Sequence, residues 1–142
     1  MVENPDEIIS KLRLGGHRIT PIRARIVEIF INSSTPVSAI DLLEAFRILN
    51  IKVNKTTIYR ELDFLSNQGF LKGIEFGEGK KRYELDTGHH HHHLVCLNCK
   101  KVEDVDLKTD LSAEEKLIEK NTGFKIESHS LEFFGYCKNC KK

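Results

Sequence analysis

Apolar residues recur at helical spacing through the first half of the chain and then alternate, a change of period that predicts helices followed by a hairpin. A short first helix breaks at Gly15-Gly16, and Thr20-Pro21 then supplies an N-cap followed by proline at the first helical position. Ile22, Ile26, Ile29 and Phe30 form the apolar stripe of the helix that follows. A third helix is predicted after Ser38, with Ile40, Leu43 and Phe46 turned inward. The fourth runs from Asn54, an N-cap residue, to Gly69, which suits the position just past a helix end, and buries Ile58, Leu62 and Leu65 at i, i+4 and i+7. Ile74 and Phe76, then Tyr83 and Leu85, alternate across Gly77-Glu78-Gly79 as a hairpin. Helices closed by such a hairpin make a winged helix.

The opposite face of the fourth helix carries Thr56, Tyr59, Arg60 and Asp63, with Lys55 at its start. A recognition helix needs such an outward set, because hydroxyl, aromatic and cationic groups reach base edges and phosphates in the major groove. An ordinary solvated helix face would also be polar. Tyr59 tips the reading towards DNA, since a large aromatic side chain on a solvated face needs a partner.

Composition narrows the class. With 39% hydrophobic and 30% charged residues and no apolar run of the ~18 residues a membrane helix needs, the 142-residue chain reads as a soluble protein with no membrane partner. The opening MVENPDEIIS lacks a basic segment followed by an apolar one, so a cytoplasmic protein with reduced thiols is expected. The net charge of +1 does not advertise a nucleic-acid partner, but residue placement does. Every arginine lies between Arg13 and Arg82, whereas all four cysteines and six of the seven histidines lie between His89 and Cys140. Arginine suits phosphate and guanine; cysteine and histidine suit transition metals. The expected division is therefore a DNA-binding domain over 1–86 and a metal-binding domain over 87–142, with the seam near Asp86-Thr87-Gly88. The fold class is α+β: a winged helix plus a small C-terminal α/β dimerisation domain.

Cys96-Leu-Asn-Cys99 and Cys137-Lys-Asn-Cys140 are C-x-x-C knuckles, whose spacing points two thiolates of one turn at one ion. Two knuckles complete a closed tetrahedral Zn²⁺ site, which is structural. A redox pair is the competing use of this spacing. His89 to His93 form an internal run leading into Leu94-Val95-Cys96, unlike a terminal affinity tag. In a strand, His91 and His93 share one face and His90 and His92 the other, so one strand can feed two metal sites. Imidazole and carboxylate donors suit Fe²⁺, Zn²⁺, Mn²⁺, Co²⁺ or Ni²⁺. The available partners are Glu84, of opposite parity to Tyr83 and Leu85; Asp104, in a predicted strand from Lys101 to Val105; and His129, in the alternating run from Phe124 to Phe134.

Together, Arg18-Ile-Thr-Pro-Ile-Arg23, Thr57-Ile-Tyr-Arg60, His91-His-His-Leu-Val-Cys96-Leu-Asn-Cys99, Ser128-His-Ser130 and the Cys137/Cys140 pair resemble the ferric uptake regulator family of metal-sensing repressors. The resemblance implies a metal-loaded homodimer that represses genes from palindromic double-stranded operators and is not an enzyme. It implies minor-groove contact by Arg18, and base and backbone contacts by Tyr59 and Arg60. It further implies a regulatory site of Glu84, His91, His93 and Asp104 bridging the two domains, and a second site of His90, His92 and His129. The expected cofactors are structural Zn²⁺ and regulatory Fe²⁺ or another divalent transition metal. Two positions depart from the family pattern. Thr35-Pro36-Val37 stands where a further regulatory histidine is usual, and Pro36 cannot ligate. His92 stands where aspartate is common, and the glutamate expected early in a helix over Leu111–Asn121 has no clear counterpart, with Asp110 and Glu114 nearby.

An iron-responsive repressor is the preferred reading, with zinc-, nickel- and peroxide-responsive relatives as alternatives; the missing histidine weighs against peroxide sensing. A metal-dependent hydrolase would need an open metal position and a general base. The chain has no H-E-x-x-H, and a hydrolase leaves the winged helix unused. A metal buffer built on the histidine run would not bind DNA.

Overall fold

The computed structural model describes residues 4–141. They form two compact units that divide between His89 and His90, where the sequence suggested a seam after Asp86.

The first unit contains helices α1 (Pro5–Leu14), α2 (Pro21–Asn32), α3 (Ala39–Ile48) and α4 (Lys55–Asn67), and strands β1 (Val37–Ser38), β2 (Leu71–Glu75) and β3 (Lys81–Leu85). Local chemistry fixes the helix starts. Thr20 Oγ1 accepts from the Arg23 N–H, Asn54 Oδ1 accepts from the Thr57 N–H, and Ser38 and Asp41 satisfy one another in a capping box. Each such cap stabilises its helix by about 1 kcal/mol. Past α4, Gly69 takes φ 79°, a left-handed conformation that costs glycine little. Ile8 and Leu12 of α1, Ile26 and Phe30 of α2, Leu42 and Phe46 of α3, and Ile58, Leu62 and Leu65 of α4 share one core.

The sequence reading of α3 needs correction. Its buried residues are Ala39, Leu42 and Phe46, whereas Ile40 is 59% exposed and Leu43 is only partly buried. The capping box starts the helix at Ala39, and that phase turns Ile40 outward. The hairpin forms as expected, but β1 adds a third strand. The order is β1-β3-β2, with Val37 opposite Tyr83 and Ser38 opposite Arg82. Two residues are too few to show an alternation.

The second unit contains β4 (His92–Cys96), β5 (Val102–Val105), α5 (Ser112–Thr122) and β6 (Glu132–Gly135), in sheet order β5-β4-β6. Strands β4 and β5 are antiparallel, joined by the tight turn of the first cysteine knuckle, while β6 returns parallel to β4 after the α5 crossover. The expected alternating run from Phe124 shortens to Glu132–Gly135, because ladder pairing with β4 begins only at Glu132, opposite His93. Helix α5 has no buried residue; Leu117 and Ile118 on it, and Phe133, Phe134 and Tyr136 around β6, stay exposed.

Candidate metal centres and nucleic-acid interface

Strand register explains why the four cysteines meet. Cys96 ends β4 opposite Gly135 of the parallel strand β6, so both chains leave the same end of the sheet. The first knuckle turns back there, with the Lys100 N–H donating to the Cys96 carbonyl, and Lys100 takes φ 64°. Two residues past Gly135 comes Cys137. One sulfur from each of Cys96, Cys99, Cys137 and Cys140 falls within a group no wider than 4.8 Å, with Cys99 Sγ 3.8 Å from Cys137 Sγ. The thiols are free rather than disulfide-bonded.

The donor set is also prepared chemically. Backbone N–H groups of Cys137 and then of Cys99 point at the Cys96 sulfur and hold that thiol down at about 6, so it is a thiolate at neutral pH. At Cys99 the Lys101 N–H acts in the same direction. It is outweighed by hydrogen bonding to the neighbouring sulfurs and by burial, which push that thiol up to about 11. A closed group of four sulfurs fits Zn²⁺, whose structural sites are tetrahedral and thiolate-rich.

At the other end of β4 the same parallel offset operates. His93 lies opposite Glu132, so three residues earlier His90 comes beside His129. The facing Nε2 atoms of His90 and His129 are 3.1 Å apart, and the His92 ring stands 4.7 Å from that of His90 and 5.6 Å from that of His129. His92 Nδ1 lies 3.1 Å from the Leu131 carbonyl. A carbonyl only accepts, so Nδ1 donates, and in the neutral ring Nε2 is then the acceptor. That Nε2 is buried and has no hydrogen-bond partner among the described residues. A buried, unpartnered acceptor costs free energy unless a cation meets it, which fits a metal held by His90, His92 and His129.

Sequence reasoning missed the carboxylate of this group. Neither Asp110 nor Glu114 supplies it: Glu115, on the first turn of α5, places Oε1 2.5 Å from His129 Nδ1. Asp110 instead bonds Ser112 at the helix start. Glu115 holds the His129 ring from behind, with Nε2 turned towards His90.

The opposite face carries the other pair, His93 on β4 and His91 immediately before it. His93 is directly across the antiparallel ladder from Asp104, Nε2 to Oδ1 3.7 Å. His91 shares that face, its ring 4.8 Å from that of His93 and its Nε2 4.0 Å from the same carboxylate oxygen. Two imidazoles and a carboxylate on one face fit a harder divalent ion. Glu84 stands on β3 in the first unit, opposite Lys72. Pro36, where a histidine was sought, is buried just before β1.

On α4, Lys55, Thr56, Tyr59 and Arg60 are all exposed, Tyr59 to 41%, while Ile58 and Leu62 on the other face are fully buried. Lys55 Nζ lies 5.7 Å from the Tyr59 ring centre, holding cation and aromatic together on the outer face. Arg18 is exposed on the segment that leads into α2. No described helix is long and apolar enough to cross a membrane.

Comparison with known proteins shows the family and the fold. A family model described as the Ferric uptake regulator family matches residues 15–134. The chain is 34% identical over 134 residues to the ferric uptake regulation protein of Bordetella parapertussis, covering 94% of this chain and 96% of that one. It is 32% identical over 136 residues to the peroxide-responsive repressor PerR of Staphylococcus aureus, covering 96% and 90%. Its fold is similar to that of the Helicobacter pylori ferric uptake regulator Fur, a structure described as having three functional metal-binding sites, with a TM-score of 0.82, 25% identity and coverage of 99% and 96%.

Proposed function

This chain belongs to the ferric uptake regulator family, and we propose that it is an iron-responsive repressor that binds palindromic operator DNA as a metal-loaded homodimer in the cytoplasm. The observation that carries the reading is the division of one histidine strand between two faces: His91 and His93 beside Asp104, and His90 and His92 beside His129.

The roles follow from that division. Cys96, Cys99, Cys137 and Cys140 hold structural Zn²⁺, which ties the tail of the chain to the end of β4. His91, His93 and Asp104 hold the regulatory ion, and Glu84, by its family position, is the ligand supplied from the wing strand. His90, His92 and His129 hold a second ion. Lys55, Thr56, Tyr59 and Arg60 on α4 read and grip the major groove, and Arg18 reaches the minor groove. Bound at the regulatory site, Fe²⁺ supplies cationic charge that can fix the DNA-competent arrangement, provided that arrangement binds the ion better than others do. The uncovered apolar residues of α5 and β6 support the homodimer, since an exposed patch of this kind marks an association surface.

The 32% identity to a peroxide-responsive repressor keeps oxidant sensing as a second reading. Pro36, in place of a ligating histidine, weighs against it. The test is metal analysis of the purified protein combined with operator binding titrated against each divalent ion. Iron-promoted binding that survives peroxide supports the proposed function; operator binding indifferent to every metal overturns it.

A further inference from the structure

Arg18 is exposed on the segment between Gly15-Gly16 and the N-cap Thr20, and Gly16 takes φ 81°. Ile19 packs against the core and the His17 N–H donates to the Leu12 carbonyl, yet Arg18 itself is exposed, and an arm left loose at that point must be ordered at the moment of binding, at a cost in affinity. Here it is held. Arg23, on the first turn of α2, directs all three nitrogens of its guanidinium to named partners. Nε and Nη2 donate to Glu61 Oε2 and Oε1 at 2.8 and 3.1 Å, and Nη1 donates to the Arg18 carbonyl at 2.6 Å. The plane of the group lies over the Phe64 ring, 3.8 Å from its centre. Glu61 and Phe64 are both on α4, and Glu61 directly follows Tyr59-Arg60.

We infer that Arg23 is a positioning residue for DNA recognition: it clasps the Arg18 segment to the recognition helix, so that minor-groove and major-groove contacts are presented in one fixed register. Stability alone is a weaker account. A partly buried ion pair contributes little net stability because desolvation offsets its attraction, and a bridge made only for stability has no need of the third donor on the Arg18 backbone. Both side chains of the pair are only 13% exposed, so the clasp is already formed before DNA arrives. His17 reinforces it, with Nε2 3.1 Å from Gln68 Oε1 and the ring edge-on to Phe64 at 5.0 Å. Lysine cannot replace Arg23, because an ammonium on a flexible stem lacks the planar fork that serves two carboxylate oxygens, a carbonyl and an aromatic face together.

The inference rests on the reading that Arg18 contacts DNA, and a double-mutant cycle separates the two. Operator affinity is measured with the metal-loaded full chain for the parent, Arg18→Ala, Arg23→Lys and the double variant. Arg23→Lys keeps the charge, so the general attraction to DNA stays the same. Arg18→Ala should weaken the parent roughly tenfold, and the same change in the Arg23→Lys background should matter less than about twofold, since an unpositioned Arg18 has little left to lose. Glu61→Gln, which leaves Arg23 in place but removes the carboxylate that orients it, should give the same non-additivity, and it carries the test if Arg23→Lys folds poorly. Fully additive losses in both backgrounds overturn the clasp while leaving the DNA role of Arg18 intact. No effect of Arg18→Ala in the parent overturns the DNA reading and the clasp with it.

Discussion

His93 faces Asp104 across the β4–β5 ladder, Nε2 to Oδ1 3.7 Å, while its neighbour His92 turns the other way and bonds the Leu131 carbonyl at 3.1 Å. Consecutive residues of one strand thus serve different sites. The pleat alone requires this, because successive side chains point to opposite faces of a sheet.

The consequence for regulation is unequal. His93→Ala should abolish metal-dependent operator binding, whereas His92→Ala should cost much less. Operator titrations at fixed Fe²⁺ check this; equal losses in the two variants would show that the two faces do not act separately.

The cysteine cluster predicts a structural dependence on zinc. Cys137→Ser removes one of four thiolates and leaves a closed site incomplete, so one zinc per chain should be lost, together with the order of the C-terminal sheet. Zinc binding in small modules contributes ~10–16 kcal/mol, far more than this sheet, with an α5 that buries no side chain, can replace. Zinc analysis and far-ultraviolet circular dichroism of the variant decide it, and a well-folded zinc-free dimer would refute it.

Much of this arrangement was legible in the sequence, and the parts that were not share a cause. Helix starts were legible because caps such as Thr20 and Asn54 act within three residues, and the knuckles because two ligands fit in one turn. The parity of the histidines needed only the pleat. Glu115 was missed because its partner His129 lies 14 residues on, and only the path of α5 over the sheet brings them together. The Arg23–Glu61 pair, 38 residues apart, depends likewise on how two helices pack. Ile40 was misassigned because its stripe was drawn without the phase that the Ser38–Asp41 capping box sets.

Glu115 acts on the second site through His129. Glu115→Gln keeps the shape but weakens the hold on Nδ1, and losses of about 10–100-fold in metal affinity are usual when such an orienting partner is removed. Isothermal titration with Zn²⁺ should show that loss at the His90–His92–His129 site only. Three imidazoles there also favour Zn²⁺ or Co²⁺ over harder ions, so His92→Asp should shift preference towards Mn²⁺ and Fe²⁺. An unchanged metal ranking in His92→Asp would refute that assignment.

On the recognition helix, Tyr59 and Arg60 should fail differently. On the proposed reading Tyr59 distinguishes bases, so Tyr59→Ala should cost about 1–3 kcal/mol of discrimination between operator and random DNA. On the same reading Arg60 grips phosphate, so in Arg60→Ala affinity should fall across all sequences and the dependence on salt should flatten as one fewer counterion is released. Binding measured at several salt concentrations separates the two, and unchanged operator affinity in both would exclude this face of α4.

Pro36 stands where the family pattern has a ligating histidine. With no histidine at that position, Glu84 is, on the proposed reading, the ligand that the DNA-binding unit offers to the regulatory ion. If metal activates DNA binding by favouring one arrangement of the chain, the coupling must be reciprocal: operator has to tighten metal binding by the same factor by which metal tightens operator binding. That coupling passes through whichever ligand the DNA-binding unit contributes. Glu84→Ala should therefore leave His91, His93 and Asp104 able to bind an ion weakly while abolishing the coupling. Metal titrations with and without operator DNA are the measurement, and couplings of this kind are typically about 5–150-fold. The parent should show a clear tightening and Glu84→Ala none. Full coupling retained in Glu84→Ala would mean that the metal signal reaches the winged helix by a route that does not include the wing strand.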